Sequence, residues 1–71
     1  MNDILDTTEI TRAGGALETA ERLALMAGEP IPEFVPWGKV YETPEGKFRI
    51  RCELRKRRGK DPMITHLDRV K

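Results

Sequence analysis

Arg49 and Arg51 stand two residues apart, and the chain then adds Arg55, Lys56, Arg57, Arg58 and Lys60. Guanidinium groups bind phosphate through paired N–H donors, and ammonium groups add point charge. On one face of a strand, neighbouring side chains lie about 7 Å apart, a spacing suited to successive phosphates of an extended nucleic-acid strand. Between Lys47 and Lys60 eight basic residues are opposed by Glu53 alone. The chemistry implied is contact with a polyanion, made chiefly to phosphates and with little discrimination among bases. Two plainer uses compete with it. The run can form a basic surface for an acidic protein, or a solvated sheet face in which Glu42 and Glu53 pair with nearby arginines.

The remaining reactive side chains point away from catalysis. His66 is the only histidine and Cys52 the only cysteine, so an internal zinc site lacks ligands and no disulfide can form. His66 followed by Asp68 has no nucleophile motif around it. Cys52 falls in phase with Ile50 and Leu54, which predicts a buried, unreactive thiol. Gly14-Gly15 is too little for a phosphate-cradling loop. A non-enzymatic protein with no cofactor and no metal is expected.

The elements that would carry these residues follow from periodicity and punctuation. Phe48, Ile50, Cys52 and Leu54 alternate with Arg49, Arg51, Glu53 and Arg55, the period of a half-buried strand. Thr43-Pro44-Glu45-Gly46 reads as a type I turn, with Pro second and Gly fourth. The expected hairpin is 37–55, with Tyr41 opposite Phe48 and Glu42 opposite Lys47. That register puts Trp37, Tyr41, Phe48, Ile50, Cys52 and Leu54 on one apolar face and the arginine row on the other. Phe34 is assigned to the core with the other aromatics. Lys39 is the misfit, expected at an edge with its stem packed and its ammonium in water.

Upstream, 16–27 predicts the one clear helix. Leu17, Ala20, Leu23, Ala24, Met26 and Ala27 share a side, opposite Glu18, Glu21 and Arg22, while Leu25 breaks the pattern. Pro30, Pro32 and Pro36 make 29–36 a stiff extended connector. Residues 1–14 are polar and weakly patterned and read as a flexible acidic arm, in which Asp6 to Glu9 has capping-box spacing. Residues 63–70 are short and ambiguous. A third antiparallel strand is favoured there, because two strands and one helix rarely hold in water.

A 71-residue chain makes one small domain with a marginal core. The net charge of +1 conceals a split: residues 1–35 carry two basic and seven acidic side chains, and residues 36–71 carry eleven basic and five acidic ones. No apolar run is long enough for a membrane span and no signal pattern opens the chain, so a reducing, cytoplasmic setting is expected.

The fold class expected is α+β: one amphipathic helix on a small three-stranded antiparallel sheet, preceded by the arm. The function expected is a nucleic-acid-binding accessory protein contacting phosphates through Arg49, Arg51, Arg55, Lys56, Arg57, Arg58 and Lys60. The alternative is a protein–protein interaction module, such as a phage or mobile-element inhibitor or adaptor of a host nucleic-acid-processing or defence complex. Its partner surface would use Leu25, Glu18, Glu21 and Arg22. The acidic half would then face a basic protein by imitating phosphates, or the basic sheet of a second copy in a homodimer.

Overall fold

A computed structural model describes residues 4–54 and 63–71. The elements run β1 (Ile4–Ile10), α1 (Gly15–Ala27), β2 (Val40–Thr43), β3 (Gly46–Leu54) and β4 (Met63–Val70). The strands form one antiparallel sheet in the order β1-β4-β3-β2. Helix α1 packs on β2 and β3, giving an α+β fold of two layers only 15 Å thick along its shortest axis.

The helix begins one residue before the expected Ala16 and ends at the expected Ala27. Gly14 takes a left-handed conformation at its N-cap, and Gly28 does the same at its C-cap, donating its N–H to Leu25 O. Ala20, Leu23 and Ala24 are buried against Tyr41 and Ile50, with Ile10, Ala16, Ala27, Val35, Phe48 and Leu67 around them. The alanines bring the helix close to the sheet, so a core of few side chains is still continuous.

The β2–β3 register matches the expectation, with Tyr41 opposite Phe48 and Glu42 opposite Lys47. Pro44 and Glu45 form the two-residue connection, and neither has positive φ, so the strongly twisted mirror-image turn usual in short hairpins is absent. Gly46 absorbs the mismatch at φ 137°, and the Thr43 hydroxyl donates to Gly46 O at 2.8 Å. Residues 63–70 form the expected strand.

The expected flexible arm is corrected. Ile4–Ile10 is a fourth strand, paired with β4 from Ile4 opposite Val70 to Ile10 opposite Thr65, with a register irregularity between Ile4 and Asp6. The physical reason is backbone accounting. With β3 on one side, β4 has a second row of N–H and C=O groups to satisfy, and β1 supplies the partners. Ile4, Thr7, Thr8 and Ile10 are β-branched, which suits a strand better than the one-turn helix suggested by the capping-box spacing.

Two aromatics are also corrected. Tyr41 is buried and Phe48 partly buried, but Phe34 and Trp37 lie on the outside. The core takes Val35 from the connector instead. Cys52, expected to be buried, is half-buried, with its sulfur 3.9 Å from Met63 Sδ.

Candidate functional site: the polar sheet face and the aromatic ridge

Strand alternation sorts the sheet into two faces. The helix side carries Tyr41, Phe48, Ile50, Leu67 and Ile10. The other side carries Lys47, Arg49, Arg51 and Glu53 from β3, His66 and Asp68 from β4, and Thr7 and Glu9 from β1, aligned by the pairs Arg49–Asp68, Arg51–His66, Thr7–Asp68 and Glu9–His66. The arginines therefore occupy the expected face.

That face is not an open guanidinium row, and this expectation is corrected. Arg51 Nε donates to Asp68 Oδ2 at 2.7 Å, Arg49 donates to the same oxygen at 3.1 Å, and the Thr7 hydroxyl donates to Oδ1 at 2.9 Å. Asp68 has 0% exposed surface, and the Arg49 and Arg51 side chains keep only 28% and 31%. Burial alone would raise the Asp68 carboxyl. The hydrogen bonds from Arg51, Thr7 and Arg49 outweigh it and hold the group below the ordinary carboxylate range. The Arg51 guanidinium is raised in turn, chiefly by its hydrogen bond to Asp68.

Beside this cluster His66 is buried, with Nε2 2.8 Å from Glu53 Oε2. An ionised carboxylate only accepts, so Nε2 carries the hydrogen. His66 Nδ1 is buried with no hydrogen-bond partner. Among the described residues no group of three or more His, Cys, Asp or Glu could hold a metal ion. The polar side chains instead act as a roof. Ile64, His66 and Asp68 on the inner strand β4 are buried, with Arg49, Arg51 and Glu53 of β3 and Thr7 of β1 bonded to the two polar ones.

Arg55, Lys56, Arg57, Arg58 and Lys60 lie outside the described residues. The described ends of β3 and β4, Leu54 and Met63, stand opposite each other and both are exposed. Of the alternative partner residues, Leu25 is strongly exposed, Arg22 is exposed, Glu21 is half-buried, and Glu18 pairs with Arg12.

The feature missed by sequence reasoning is the connector. Val35 is seated against the core, and Trp37 N–H donates to Val35 O at 2.9 Å. Gly38 N–H donates to Ile50 O at 3.0 Å and ties the segment to β3. Lys39 closes the base, with Nζ 2.8 Å from Glu29 Oε1 and 5.2 Å from the Tyr41 ring centre. Val35 packs inward and Pro36 is half-buried, while Phe34 on one side is 81% exposed and Trp37 on the other 52%, with Ile31 exposed upstream. The prolines Pro30, Pro32 and Pro36 mark a stiff segment, which was legible, but the choice of Val35 as anchor was not.

No described helix is long and apolar enough to cross a membrane. No family model, no curated protein and no solved structure matches this chain.

Proposed function

We propose that this chain is a non-enzymatic protein-interaction module that docks through Phe34 and Trp37. The observation that carries this reading is the pair of exposed aromatics, Phe34 and Trp37, on either side of a half-buried Val35 that packs against the core, on a braced, proline-marked connector. A large aromatic left in water on a rigid segment is the form taken by interface anchors, which lose little conformational freedom on binding. Glu33 is exposed beside Phe34, and the stretch from Glu29 to Trp37 holds no basic residue. The partner is therefore a protein with an apolar groove and a basic rim. Leu25 and Arg22 on the outer helix surface would lie at the edge of such a contact or outside it.

The test is recovery of the tagged full-length chain from its source cells after nuclease treatment, as wild type and as Phe34→Ala/Trp37→Ala. The wild type should retain one protein in fixed stoichiometry, and the double variant should lose it while keeping the same unfolding midpoint. A partner retained equally by both forms overturns the reading.

A second reading, contact with nucleic acid, keeps one specific support. Arg12, Lys39, Lys47, Arg49 and Arg51 each face a carboxylate. Residues 55–62 hold five basic side chains against Asp61 alone. In this reading phosphate contact passes from Arg49 and Arg51 to Arg55, Lys56, Arg57, Arg58 and Lys60.

A further inference from the structure

The two edges of the sheet are unequally protected. The β2 edge is four residues long, with Lys39 just before it and Pro44 just after. Short length, lysine and proline are the usual guards against edge pairing. Apart from the carboxylates of Asp6 and Glu9, the β1 edge is guarded at one end only, by the irregularity between Ile4 and Asp6. From Asp6 to Ile10 the ladder to β4 is regular, contains neither lysine nor proline, and has no strand on its outer side among the described residues.

We propose that the Asp6–Ile10 edge pairs antiparallel with the same edge of a second copy, joining the two sheets into one. Such pairing does not involve the aromatic ridge.

The residue pattern selects both the occupant and the register. A two-fold axis normal to a continuous sheet opposes residues of the same face, so the numbers of opposed residues sum to an even value. Centring on Asp6 sets two Asp6 carboxylates face to face, and centring on Glu9 does the same for Glu9. Centring on Thr7 leaves Glu9 against Leu5, within the irregular stretch. Centring on Thr8 uses all five regular residues. It opposes Thr8 with Thr8, Thr7 with Glu9 of the second copy, and Asp6 with Ile10 of the second copy, with no like charges opposed.

The flank supports the same arrangement. Helix α1 packs on β2 and β3, and on the same face a cleft lined by Asp6, Thr7, Thr8, Phe48, Leu67 and Arg69 runs beside the β1 edge. Pairing two copies merges the two clefts into one trough between two helices. A five-residue ladder with this flank falls below the standard interface size, so the dimer is weak and concentration-dependent.

Sedimentation of the purified chain over a concentration series tests this. The mass should rise from 8.1 kDa toward twice that value. Thr8→Lys sets two ammonium groups opposite each other and should hold the chain at one copy throughout. Thr8 is exposed, so the unfolding midpoint in dilute solution should not move. Thr8→Cys under mild oxidation should give a covalent dimer joined through position 8, identified by peptide mass, because directly opposed strand residues fall within disulfide reach. A chain that stays at 8.1 kDa throughout overturns the proposal. So does a dimer that survives Thr8→Lys, or one abolished by Phe34→Ala instead.

Discussion

Asp68 has no contact with solvent, yet three side chains on its two neighbouring strands donate to it. Removing its charge would leave two guanidinium groups facing a neutral amide beneath the roof of the sheet. Hydrogen bonds to charged groups are worth roughly 1.5–3 kcal/mol. Arg49 and Arg51 keep some access to water, so the loss should fall within that range rather than reach that of a fully enclosed pair. Asp68→Asn is therefore expected to destabilise the chain by about 2 kcal/mol at neutral pH, read from urea unfolding. The sign of the pH effect follows from the depressed carboxyl. Its contribution is complete above the unfolded carboxylate value of about 3.9 and is lost as pH falls through the lower folded value. The wild type should lose stability across that acid window, and Asp68→Asn should show a flatter profile there. An asparagine variant as stable as the wild type would show that the arginines do not depend on this carboxylate.

At the scale of elements, the close approach of β1 to α1 gives a second prediction. Gly15 is buried at the start of the helix, and a Cβ added there would lie 2.7 Å from Ile10 Cγ2. Alanine normally gains about 1 kcal/mol over glycine inside a helix. Here the branched Ile10 cannot swing clear, and overpacking of this kind costs about 1–3 kcal/mol. Gly15→Ala should therefore lower the unfolding midpoint, and Ile10→Ala in the same chain should recover part of the loss. A Gly15→Ala chain more stable than the wild type would mean that β1 does not press on the helix. The same strand marks where the sequence stops being readable. The helix and the hairpin register were legible because apolar period, proline and glycine agree there, whereas the local pattern of β4 was ambiguous and only the need for a third strand favoured it. β1 was not, because an edge strand with both faces largely exposed has no apolar alternation to show. Asp68 was hidden for a related reason. Its role depends on standing opposite Arg49 and next to Arg51 across a strand boundary, which no spacing within β4 reveals. Trp37 was assigned to the core by running the hairpin register back to residue 37 and Phe34 by residue type, whereas β2 begins only at Val40 and the backbone tie at Gly38 and the seat of Val35 set the path of the connector before it.

Over the whole molecule, internal pairing changes what the basic residues are free to do. Five cations spread from Arg12 to Arg51 already face carboxylates, and the densest positive charge in the sequence falls in residues 55–62. Exposed pairs such as Arg12–Glu18 are worth little and open readily, but the Asp68 cluster is enclosed. Weak binding to a nucleic-acid strand at low salt would then be an electrostatic property of that short segment. Removing one side chain that neutralises a phosphate flattens the slope of log K against log salt by about 0.7 to 0.9. Arg57→Ala/Arg58→Ala is expected to flatten it by up to two such steps without moving the unfolding midpoint. Arg49→Ala/Arg51→Ala should do the opposite: it strips Asp68 of two donors and lowers stability, while the slope, measured where the variant is folded, stays close to that of the wild type. Fluorescence anisotropy with a labelled oligonucleotide over a salt series separates these outcomes. A slope that responds to the strand arginines and ignores Arg57 and Arg58 would mean that the Asp68 pairs open to admit phosphate, and the polar face would then be the binding surface after all.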